Sequence, residues 1–68
     1  MENKFSIRIR ELRIVEGLKQ SDVAKHMNVT PSTVTKWENK IQEPDYLTLM
    51  SLAKFFEVST DYILGLED

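Results

Sequence analysis

Cysteine is absent from the 68 residues. That excludes a disulfide, a thiolate nucleophile and a sulfur-ligated zinc site. The single histidine, His26, has neither cysteine nor a paired carboxylate at ligand spacing, so it makes a poor metal site and reads as a solvated residue. Two glycines leave nothing for a phosphate-cradling loop. No linker, repeat or low-complexity stretch interrupts the chain. No apolar run near the N-terminus is long enough for a signal peptide or a membrane span, which sets the expectation of a cytoplasmic protein. Strand-like alternation of apolar and polar residues is missing too. There is no nucleophile–base set, and Glu11 and Glu16 read as surface charge rather than an acid–base pair. The sequence therefore points away from an enzyme and implies no cofactor, metal, membrane or small-molecule substrate.

What remains is enough for one small all-α domain spanning 1–68. A chain of this length buries only about 60% of its unfolded surface, so modest stability of a few kcal/mol is expected. The net charge of −2 looks unsuited to a polyanion partner, but it is unevenly spread. Residues 1–40 carry eight basic and five acidic side chains, a net +3; residues 41–68 carry Lys54 against six acids, a net −5. Phosphate attraction acts over a screening length of roughly 8–10 Å, so the local excess decides it.

Periodicity and caps place five helices. Phe5, Ile9 and Leu12 form one stripe over about 4–16, with Gly17 as its C′ residue. Ile7 and Ile14 fall off that stripe and either extend the buried face or form a small contact patch. Val23, Ala24 and Met27 are the inward side of a second helix, with Gln20, Ser21, Asp22, Lys25 and His26 outward. Asn28 tolerates a left-handed backbone and ends it; Val29 returns to the core. Thr30-Pro31 opens the third helix by two independent rules. A threonine hydroxyl accepts from N2 or N3, and proline at N1 needs no N–H partner while holding its predecessor extended. Val34 and Trp37 then face inward, Trp37 as core rather than a base-stacking platform, and Ser32, Thr33, Thr35 and Lys36 are left outside. Asp45 caps a fourth helix over 46–56, with Leu49, Leu52, Ala53 and Phe56 inward. Ser59 caps a short fifth over 60–64, which Gly65 stops.

The pair of helices over about 20–39 thus presents a capped tip of small polar groups suited to a DNA groove. A helix N-terminus attracts anions, and serine and threonine hydroxyls bond bases or phosphates alike. This stretch resembles the Cro/cI-type helix-turn-helix of the XRE family, the lambda-repressor-like regulators. The likeness runs over roughly residues 5–66. It is carried in order by Phe5, Ile9, Leu12 and Arg13; Gly17-Leu18-Lys19-Gln20; Val23-Ala24; Val29-Thr30 through Val34; and Trp37-Glu38-Asn39. Glu43-Pro44, Leu49, Leu52-Ala53, Phe56 and Val58 through Gly65 continue it.

The resemblance implies a compact five-helix bundle and a set of roles. Pro31, Ser32, Thr33, Thr35 and Lys36 are expected to read bases, Pro31 by apolar contact alone. Lys19, Gln20, Thr30, Asn39 and Lys40 are expected on phosphates, with Asn39 also able simply to end its helix. Arg13 and Glu38 are expected to pair between the first and third helices. The implied protein is a sequence-specific regulator of transcription, a repressor, binding a two-fold symmetric double-stranded DNA operator as a homodimer. Tyr46, Leu47, Met50, Phe55, Ile63, Leu64 and Leu66 are apolar material for the dimer. The alternative is a protein-binding helix-turn-helix module, an antitoxin- or coactivator-like adaptor.

Three departures from the family pattern bear on affinity. Lys40 stands where relatives carry glycine, so either the backbone differs or lysine bears a positive φ. Ile41 and Gln42 replace two cations of the following loop. Lys19 replaces a Ser or Thr cap.

Overall fold

The structure, a computed structural model, describes residues 3–68. Its helices are α1 (Phe5–Val15), α2 (Gln20–Met27), α3 (Pro31–Glu38), α4 (Tyr46–Phe56) and α5 (Thr60–Leu64). The expected boundaries hold to within one residue; Lys4 and Glu16 are the caps of α1 rather than its ends. The all-α five-helix bundle is therefore as expected.

Three helices begin on the side-chain acceptors the sequence offers. Thr30 accepts from the Thr33 N–H, Asp45 from Thr48 and Ser59 from Tyr62. Lys19 has no oxygen to cap α2. Instead the Asp22 carboxylate reaches back and accepts from the Lys19 N–H at 2.8 Å, which is half of a capping box.

Every helix ends the same way. Gly17, Asn28, Lys40, Glu57 and Gly65 all have positive φ. The next residue's N–H returns to a carbonyl five positions back in each case: Leu18 to Arg13, Val29 to Ala24, Ile41 to Lys36, Val58 to Ala53 and Leu66 to Asp61, at 2.8–3.0 Å. These are Schellman closures. Of the two alternatives for Lys40, the structure has the lysine at positive φ, 62°. Glu57, with φ 57°, carries the same strain and was not anticipated.

The core gathers Phe5 and Ile9 from α1, Val23 and Ala24 from α2, Val34 and Trp37 from α3, Leu52, Ala53 and Phe56 from α4, and Ile63 from α5. Leu12, Met27, Val29 and Leu49 are only half-buried at its margin. Ser6, buried, donates its hydroxyl to the Trp37 carbonyl at 2.6 Å and fixes α1 against the end of α3. Phe5 meets the Trp37 ring edge-on at 6.2 Å. Arg8 holds α5 and the tail: its Nη1 donates to the Tyr62 and Glu67 carbonyls, and the guanidinium lies 4.1 Å over the Tyr62 ring.

Several surface expectations need correction. Ile63 is fully buried, and Phe55 and Leu64 pack on the core, so none of the three is spare apolar surface. His26 is exposed but not merely solvated, because its ring stacks on Phe55 at 4.7 Å. Ile7 and Ile14 are half exposed and lie outside the core. Among the described residues no helix is long and apolar enough to cross a membrane.

Candidate nucleic-acid interface

The interface is built on the junction of α2 and α3. Helix α3 starts with the tip predicted from Thr30-Pro31. The Thr30 hydroxyl caps the helix and lies 3.0 Å from both Ser32 Oγ and Thr33 Oγ1. These contacts are exposed and rearrange at little cost when a better acceptor arrives. Pro31 and Ser32 are exposed, Thr33 half-buried, and Lys36 exposed one turn beyond Ser32. Val34 and Trp37, at 0% and 1% exposure, pin the opposite side of the helix in the core. Burial of one side thus determines which side groups reach a ligand.

Behind the tip lies a polar network that locks the two helices to α1. Arg13 grips Glu38 with both arms of its fork, Nε to Oε2 at 2.7 Å and Nη2 to Oε1 at 3.0 Å. Its remaining Nη1 donates to the Leu18 carbonyl, in the turn that leads into α2. The side chains are 14% and 3% exposed, so the pair is largely out of water. The hydrogen bonds and the charge of Glu38 raise the Arg13 pKa above its ordinary value, against the opposing effect of burial. Glu38 also accepts from Gln20 Nε2 at 3.0 Å, and Gln20 Oε1 accepts from the Thr35 hydroxyl at 2.7 Å. This is the only ion pair among the described residues.

That network corrects two sequence expectations. Gln20 does not simply face outward; it is half-buried with its amide engaged at both ends. Thr35 is half-buried as well, and its hydroxyl proton is committed to Gln20, with the Pro31 carbonyl at 3.2 Å beside it. The remaining expected residues are exposed at the ends of α2 and α3. Lys19, Asn39 and Lys40 are exposed, and none of their side-chain polar atoms has a partner among the described residues. Lys19 flanks the start of α2; Asn39 and Lys40 close α3. Ile41, 71% exposed, follows Lys40 and puts an apolar side chain where a cation would have extended the basic rim.

The arrangement offers the N-termini of α2 and α3, the hydroxyls at the tip of α3 and exposed lysines at 19, 36 and 40, with the Arg13–Glu38 charge pair neutralised inside. No group of three metal-ligating side chains occurs among the described residues. Exposed hydroxyls and ammonium groups of this kind are chemically suited to a polyanion that also offers hydrogen-bonding edges.

Known proteins share both sequence and shape with this chain. The helix-turn-helix family model matches residues 9–63. The HTH-type transcriptional regulator ImmR of Bacillus subtilis (strain 168) is 33% identical over 61 residues, which cover 90% of this chain and 48% of that protein. A transcriptional regulator from Listeria innocua superposes with a TM-score of 0.92 at 28% identity, over 100% of this chain and 64% of the other. The P22 c2 repressor, solved in complex with synthetic operator 9T, superposes with a TM-score of 0.86 at 28% identity, over 93% and 96% of the two chains. The chain spans about half the length of the curated relatives it matches.

Proposed function

The chain belongs to the helix-turn-helix family, in its XRE, Cro/cI-like branch, and from that premise we propose that it is a sequence-specific transcriptional repressor binding double-stranded DNA as a homodimer. One observation carries this reading. The first turns of α3 project Ser32 and Lys36 from a helix whose other side is sealed in the core, so the reading groups are rigidly held and solvent-facing. In the proposed complex α3 lies in the major groove. Ser32, Thr33 and Lys36 meet base edges, Pro31 offers apolar contact, and Lys19, Gln20, Thr30, Asn39 and Lys40 set the register on phosphates. The similarity to a repressor solved on its operator supports the DNA-binding part of the reading.

Dimerisation belongs to the same proposal. Tyr46, Leu47 and Met50 are 73%, 61% and 56% exposed on the first turns of α4, and these side chains supply the apolar face of the proposed dimer. Two copies meeting there would address half-sites about 34 Å apart.

The test is a selection from random duplexes followed by binding at varied salt. Lys19 and Lys40 give four phosphate-facing cations in a dimer. The plot of log K against log salt should then have a slope of about −3.6, with about a 150-fold loss between about 50 and 200 mM. Enriched sites should show two-fold symmetry. Salt-independent binding, or none, refutes the reading.

A second reading, a protein-binding module, is favoured by the acidic residues 41–68 and by Ile41 and Gln42 in place of loop cations. Lys36→Ala separates the two: it weakens operator binding in the first and leaves a protein complex intact in the second.

A further inference from the structure

Resting on the DNA-binding reading above, we infer that Thr35 is a positioning residue for the phosphate contact of Gln20, and not a reader of bases. A carboxylate only accepts, so the Gln20 atom facing Glu38 is its amide nitrogen; the amide oxygen must then be the atom facing Thr35. The Thr35 hydroxyl carries a single proton, and at 2.7 Å that proton belongs to Gln20. The amide plane is therefore clamped at both ends. One N–H of Nε2 is left without a partner, and the backbone N–H groups of Gln20 and Ser21, in the first turn of α2, have no acceptor among the described residues. The helix dipole favours an anion at this end of α2. A phosphate oxygen placed there meets an amide that has already lost its rotamer freedom. Arg13 anchors the same chain of bonds through Glu38, so the clamp is built on the interior.

The two halves of the threonine side chain separate the roles. Thr35→Val keeps the methyl and replaces the hydroxyl with a second one; Thr35→Ser keeps the hydroxyl and removes the methyl. For binding to the operator obtained by selection and to its single-base variants, Thr35→Val should weaken every duplex alike, by about 5- to 10-fold, because Gln20 must then be ordered on binding. Thr35→Ser should stay within about twofold of the parent. Gln20→Ala should weaken binding at least as much as Thr35→Val, and the double variant Thr35→Val/Gln20→Ala should bind no worse than Gln20→Ala alone. Melting temperatures of all variants, measured in parallel, separate a lost clamp from a lost fold. The positioning role is overturned if Thr35→Val leaves affinity unchanged, if its loss is confined to one base position, if Thr35→Ser is the weaker binder, or if the Gln20→Ala and Thr35→Val losses simply multiply. If the unaltered protein binds no duplex, the DNA-binding reading falls and the positioning role with it.

Discussion

Arg13→Ala removes three hydrogen bonds at once: two to Glu38 and one to the Leu18 carbonyl. The larger effect lies with what is left behind. Glu38 is 3% exposed, and its one surviving partner is a neutral amide N–H from Gln20. Breaking a buried pair by deleting one member costs about 3–5 kcal/mol, because an uncompensated charge stays out of water. Arg13 is itself 14% exposed, so its loss opens a path for water, and the lower end, about 3 kcal/mol, is expected. A chain of this size has a total stability of about 3–10 kcal/mol. The variant should therefore be only marginally folded, with a melting temperature about 12–25 °C lower. Urea unfolding followed by Trp37 fluorescence measures this directly; Trp37 is the only tryptophan and is 1% exposed. The companion variant Arg13→Met/Glu38→Leu removes both charges while keeping bulk, and should recover to within about 1 kcal/mol of the parent. A loss below about 1 kcal/mol for Arg13→Ala, or a double variant as unstable as the single one, would refute the view that the stranded carboxylate dominates.

Other outcomes follow from the same structure. Lys40→Gly and Glu57→Gly should each stabilise by about 0.5–1 kcal/mol in urea unfolding, since a left-handed L-residue costs about 1–2 kcal/mol and glycine returns part of that as chain entropy. Lys40→Gly should also reduce the salt dependence of DNA binding by about one unit of slope per protomer, which Glu57→Gly should not. Thr30→Ala should lower stability by about 1 kcal/mol through the lost cap of α3, read in the same assay. Asp45 is held below its ordinary 3.8 by accepting the Thr48 N–H. A depressed carboxyl contributes stability that is complete above its unfolded value and is lost as pH falls through the folded one. Asp45→Asn, still able to cap α4, should thus flatten the melting-temperature profile below about pH 4 and leave neutral pH unchanged. Met50→Asp should shift the oligomer toward monomer in sedimentation and weaken operator binding, while leaving the melting temperature of the monomer within a few degrees, because Met50 is 56% exposed.

Helix starts were legible because their cause is local. A hydroxyl or carboxylate at N-cap reaches an N–H three residues on, so Thr30-Pro31, Asp45 and Ser59 announce α3, α4 and α5 from their own neighbourhoods. Helix ends were legible at Gly17, Asn28 and Gly65, whose residue types tolerate the left-handed backbone. At Glu57 the type gives no such sign. The Val58 N–H closes on Ala53 while its side chain packs on the core, and together these hold the preceding residue at positive φ. The bias toward one basic half was visible by counting. Ile63 is not legible as core because the five residues of α5 show too few periods to assign a side, and Phe55 is not because it falls beside the stripe that Leu49, Leu52, Ala53 and Phe56 already fill on α4.

The candidate interface divides along the same line. Which residues stand on α3, and where its tip begins, is written in the chain, since caps and helical periodicity act within one or two turns. Which of those residues are available to a ligand was decided only when α1, α2 and α3 packed. Gln20 and Thr35 are 15 positions apart and Arg13 and Glu38 are 25 apart. Their hydrogen bonds depend on helix crossing angles that only the shared core around Val34 and Trp37 fixes.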